Sequence, residues 1–171
     1  MIALDIAEVA VGLLFLQGAW WKFAHVGEFR TIMRRQAGFV ARWSGPLGVV
    51  VPAGELLIGG VAVVAGLMAI APPVAQAAFA VQAAFAAVLL AHTLQQRRSG
   101  SRARCGCLNG TETFGTATVV RGVFVLAVSL AVLIFPADGA KDLLATLAGA
   151  AVIYLIVAVG LSAIFWTSPK P

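Results

Sequence analysis

Val51-Pro52-Ala53-Gly54-Glu55-Leu56-Leu57 lies inside an unbroken apolar run from Pro46 to Ile70 in which Glu55 is the single charged residue. A run of that length crosses the roughly 30 Å hydrocarbon core of a bilayer as a helix. Pro52 and the glycines at 54, 59 and 60 suit a bent membrane helix with close neighbours. Four further runs of the same kind surround it, at about 2–23, 74–94, 117–135 and 143–166. Over 171 residues the chain is 61% hydrophobic and 11% charged, against about 25% charged in a soluble domain. The reading is an all-α, polytopic integral membrane protein. It forms one domain over residues 1–171, a four-helix core plus one further span.

The net charge of +5 does not make a nucleic-acid reading. The basic residues sit in loops between apolar runs, and no soluble basic face exists to meet a phosphate backbone. The opening carries Asp5 and Glu8 instead of a basic region and no small-residue cleavage site, so it reads as a first span and not a cleaved signal. Asp5 and Glu8 are expected at one interface, with Trp20, Trp21 and Lys22 anchoring the other.

The first connection carries Lys22, Arg30, Arg34, Arg35 and Arg42 against Glu28, interleaved with Phe29, Ile32, Met33, Phe39, Val40 and Trp43. That spacing fits an interfacial amphipathic helix, and a plain basic loop fits as well. The third connection carries Arg97, Arg98, Arg102 and Arg104, the second no charge, and the fourth is net acidic. All four agree on one orientation, with the N-terminus outside and the first and third connections cytoplasmic.

Both cysteines fall in that third connection, in Arg102-Ala103-Arg104-Cys105-Gly106-Cys107-Leu108-Asn109-Gly110. Cysteines at i and i+2 close only a small, strained disulfide ring, and strain favours a labile bond over a structural one. Arg102 and Arg104 favour the thiolate. The pair therefore reads as redox-active. A metal-binding or transporting membrane protein with the cysteines as soft ligands remains an alternative, with only His25 and His92 as further donors. A non-catalytic subunit with incidental cysteines is another.

Isolated charges in apolar spans turn inward and seek partners. Lys22, His92 and Arg121 fall near the cytoplasmic ends of their spans, and Glu55 about 13 Å below the same surface at 1.5 Å per residue. Glu55 paired with Lys22 or Arg121 is the simplest arrangement. It is either architectural or, with His92, a route for the protons of a thiol.

Gly18-Ala19-Trp20-Trp21-Lys22, Pro52-Ala53-Gly54-Glu55-Leu56-Leu57-Ile58-Gly59 and Arg104-Cys105-Gly106-Cys107, on a plan of about five spans, resemble MauE, a methylamine utilisation family grouped with DoxX-like membrane proteins. The resemblance implies a bacterial inner-membrane component of thiol–disulfide handling. Its implied partners are a thioredoxin-like protein or an exported, cysteine-rich dehydrogenase subunit. Cys105 and Cys107 match the family's cysteine pair, and Lys22 and Glu55 its polar membrane positions. The chain departs after the pair, with Leu108-Asn109-Gly110 where phenylalanine and glycine are expected. No motif marks a site for a quinone, the candidate electron acceptor. A cytoplasmic cysteine loop and an exported partner leave two routes: electrons cross the bundle, or the arginines serve the thiols and not the topology.

Overall fold

The computed structural model describes residues 2–36, 38–68, 72–98, 115–135 and 143–160. All regular structure among them is helical: α1 (Ile2–Ala24), α2 (Val26–Arg34), α3 (Phe39–Arg42), α4 (Ser44–Leu67), α5 (Pro72–Arg98), α6 (Thr116–Ile134) and α7 (Leu143–Leu155), which continues as one π-helical turn, Ile156–Gly160. Four of these, α1, α4, α5 and α6, are long and apolar enough to cross a membrane, and α7 is a shorter apolar helix. The expected multi-spanning bundle is the fold.

Polarity runs inside out. Leu57, Val81, Val88, Ile134 and Leu144 are more than half exposed, whereas Asp5, Glu8, Lys22, Glu55, Gln82 and Arg121 are buried. A soluble monomer could not carry so much contiguous apolar surface. In a bilayer the arrangement is the stable one, because lipid meets the apolar exterior and each charge turns toward protein.

The bundle is assembled around α1. Its residues Val11 and Phe15 meet Ile58, Ala62 and Ala65 of α4, Phe79 of α5 and Val128 and Val132 of α6 in one core. Val9 and Ala10 pack on Ala150 of α7, and Leu14 on Val157 and Ala158. Helix α4 runs antiparallel to α1 and approaches very closely. A Cβ on Gly12 would stand 2.8 Å from the Gly59 carbonyl oxygen, and one on Gly59 2.8 Å from the Gly12 carbonyl oxygen. Small residues at such a crossing let two backbones touch and gain the dispersion that holds membrane helices together. Phe15 and Phe85, with ring centroids 6.0 Å apart, set α5 level with α1, and Gln82 Nε2 donates to Ser129 Oγ at 2.9 Å across the α5–α6 pair.

One open choice is decided and two expectations are refined. Of the two readings of the first connection, the amphipathic helix is the one found: α2 buries Phe29, Ile32 and Met33 at i, i+3 and i+4 and lies against α4. The third span does not stop at Leu94 but continues as helix to Arg98, because nothing in Gln95-Gln96-Arg97-Arg98 breaks a helix. Asp5 and Glu8, expected near one interface, are buried against protein, 2% and 0% exposed; position 8 falls on the stripe of Leu4, Val11 and Phe15 that faces the core.

The α1–α4 crossing predicts a steric hierarchy. Gly12→Val and Gly59→Val should each destabilise the bundle by about 2 kcal/mol or more, the cost of overpacking a filled site. Gly54→Ala, where nothing lies within 4 Å, should be tolerated. Thermal unfolding of the detergent-purified variants measures the difference.

Candidate functional site

Alternation of direction brings the end of α1, the start of α4, the end of α5 and the start of α6 to one side of the bundle. Most of the isolated charges gather there. Lys22 is two residues from the end of α1, and its side chain leans back toward the helix N-terminus, which is deeper into the bundle. It meets Glu55 of α4, with Nζ donating to Oε1 at 2.8 Å and to Oε2 at 2.6 Å. The two side chains are only 3% and 6% exposed. In so dry a site each charge is tolerable only because of the other. Helix α2 folds back over the pair, and the Phe29 ring lies 5.6 Å from Lys22 Nζ, a cation–π contact. Beside it, Arg30 of α2 occupies the space left by the missing side chain of Gly48 in α4.

His92 stands on α5 seven residues beyond Phe85, as Lys22 stands seven beyond Phe15, so the two share a level along parallel helices. Its Nε2 lies 3.0 Å from Gln36 Oε1. The amide oxygen can only accept, so the histidine donates from Nε2 in this pair. Thr93, Gln96 and Thr118 are buried near the same helix ends.

Arg121 is the sequence-predicted residue that goes elsewhere. It does not take the alternative place as Glu55's partner. Its Nε donates to the Val157 carbonyl at 2.8 Å and its Nη2 to the Ala158 carbonyl at 2.9 Å. Those carbonyls lie in the π-helical turn that continues α7. Composition could not have revealed this, because backbone carbonyls have no sequence signature. Gln36 and Phe29 also escaped the reading of charges. The i, i+3, i+4 spacing of Phe29, Ile32 and Met33 was their one available signal.

Cys105 and Cys107, with Arg102 and Arg104, lie outside the described residues. The helix ends that flank their segment are described. Arg97 Nη2 at the end of α5 lies 3.4 Å from Thr116 Oγ1 at the start of α6, which joins the two ends on the side of the Lys22–Glu55 pair. His25, the other histidine weighed as a metal donor, is exposed at the corner after α1. It stacks on Trp21 with ring centroids 5.3 Å apart, and its Nδ1 lies 3.1 Å from the Trp21 carbonyl.

Fold and site together define a multi-pass helical membrane protein with a buried ion pair capped by an amphipathic helix. The profile of the family described as methylamine utilisation protein MauE matches residues 1–135, from the start of the chain to the end of α6. The chain belongs to the MauE family. No curated protein and no solved structure matched it.

The pairing makes a prediction of its own. Lys22→Met should cost about 3–5 kcal/mol, because it strands a buried carboxylate. Lys22→Met combined with Glu55→Leu should recover most of that loss, since the double change removes both charges. Membrane protein levels and melting temperatures of the two single variants and the double variant give the coupling directly.

Proposed function

We propose that this chain is a membrane thiol–disulfide exchange protein, with Cys105 and Cys107 as the redox pair. The observation that carries the reading is the Arg97–Thr116 contact. It ties both ends of the cysteine-bearing segment to the end of the bundle that holds Lys22, Glu55 and His92. Family membership supports it.

In the exchange, a partner thiolate attacks one sulfur of the Cys105–Cys107 disulfide and forms a mixed disulfide, releasing the other cysteine as a thiolate. A second partner thiolate attacks the mixed disulfide. The partner leaves oxidised, and the cysteine pair holds two more electrons and, once protonated, two protons. Arg102 and Arg104 stabilise the thiolates, and Glu55 and His92 are the groups proposed to exchange protons with them. The partner is a thioredoxin-like protein or an exported, cysteine-rich subunit.

Renewal of the disulfide needs a two-electron, two-proton acceptor, and a bilayer quinone is the chemical class proposed. Lys22, Glu55, His92, Gln36 and Arg121 are engaged with protein groups, so no residue is assigned to hold it. The charge pattern of the connections favours a cytoplasmic cysteine loop, with the N-terminus outside.

A specific observation also favours an architectural role for Glu55: its bonds to Lys22 join α1 to α4. Thiol trapping on membranes separates the readings. The cysteine pair should shift between dithiol and disulfide when oxidant or reductant is added, and a pair fixed in one state under both would defeat the redox proposal. The Lys22→Met, Glu55→Leu double variant, which strands no charge, should slow the shift. An unchanged rate in it would mark Glu55 as architectural. Membrane-impermeant maleimide should reach Cys105 and Cys107 only in inside-out vesicles, and labelling from the opposite side would reverse the orientation.

A further inference from the structure

The half of the bundle away from the Lys22–Glu55 pair holds a second buried carboxyl that the thiol chemistry does not use. Glu8 of α1 is 0% exposed, and neither Oε1 nor Oε2 has a hydrogen-bond partner among the described residues. It sits on the stripe of Leu4, Val11 and Phe15, which packs on Phe79, Val128 and Val132. Thr146 of α7, also 0% exposed, likewise has an Oγ1 without a hydrogen-bond partner among the described residues. It lies one turn before Gly149, which rests on Ile6 of α1.

Among the described residues, no charged group of the surrounding elements balances Glu8. On α4, Glu55 is bonded to Lys22 at the far end. On α6, Arg121 is bonded to the α7 carbonyls at that same far end. The described part of α7 carries no charged side chain. His92, Arg97 and Arg98 of α5 and Glu28, Arg30 and Arg34 of α2 also belong to the far end. The nearest charge-bearing group along the chain is Asp5, one turn away on α1 and of the same sign. A carboxylate ion so placed would be uncompensated in a dry interior, and a second carboxyl beside it adds repulsion.

We propose that Glu8 is a proton-binding site in the N-terminal half of α1, its carboxyl carrying the proton that stands in for a missing counter-charge. The ligand is a hydrogen ion taken from water on that side, converting the carboxylate to the acid, and given back by the reverse step. The site is separate from the cysteines and does not rest on their chemistry.

Dicyclohexylcarbodiimide tests this, because it modifies carboxylic acids that hold a proton in apolar surroundings. Full-length protein in vesicles should be labelled at Glu8, located by mass spectrometry of the peptide. Labelling should fall as the pH is raised and be indifferent to exchanging potassium for sodium. Glu8→Gln should lose the label and the infrared C=O band of a protonated carboxyl, yet melt at the parent temperature, since a neutral amide replaces a neutral acid. Absence of label at every pH, protection by sodium, or a strongly lowered melting temperature in Glu8→Gln would each overturn the proposal. The last two outcomes mark a bound metal cation and a paired carboxylate respectively.

Discussion

The hydrocarbon interior offers no water to a polar group, so each buried charge must be met by protein, and the bond between Lys22 and Glu55 meets two at once. Much of the architecture at that end follows from it. Helices α1 and α4 must lie close enough for the side chains to touch, which the Gly12–Gly59 crossing allows. The mouth of the site must be dry, and α2 supplies that by laying Phe29 over the ammonium group and Arg30 into the notch at Gly48. Arg121 solves the same problem differently. It finds acceptors in the backbone of α7 rather than in a carboxylate.

The two ends of the bundle differ in chemistry. At one end lie Lys22, Glu55, His92, Gln36 and Arg121, where positive and negative groups, donors and acceptors, are matched. At the other lie Asp5, Glu8 and Thr146, without a cation among the described residues. Between them runs the apolar layer of Phe15, Phe79 and Val128. Buried carboxyls thus lie on both sides of that layer. The family match stops at residue 135, before α7 begins. Yet α7 packs along α1 and receives the Arg121 bonds, so it completes the bundle structurally.

The spans were legible because long apolar runs have few structural alternatives. The Lys22–Glu55 pair was legible for a related reason: single charges inside such runs have few partners to choose from. Other features were less legible. Glu8 was placed by its nearness to a helix end, and its position on the stripe of Leu4, Val11 and Phe15 is what buries it in protein. Arg121 was offered a carboxylate and took two carbonyls, which no residue pattern announces. The helix continuing through Gln95 to Arg98 was read as a break because polarity was taken for irregularity. Cys105 and Cys107 were conspicuous by spacing alone, and they lie outside the described residues.

The ion pair joins residues 33 apart in the chain, which matters while the protein is being made. Lys22 closes the first span, whereas Glu55 reaches the insertion machinery only later, as part of α4. An acidic residue near the centre of an inserting helix adds about 3 kcal/mol to the cost of leaving the translocon. With α1 already in place, that carboxylate is met by a waiting ammonium group, and the Gly12 and Gly59 surfaces can close together. The first two membrane helices thus have reason to enter the bilayer as a cooperative hairpin, with the order of synthesis itself serving as part of the assembly mechanism.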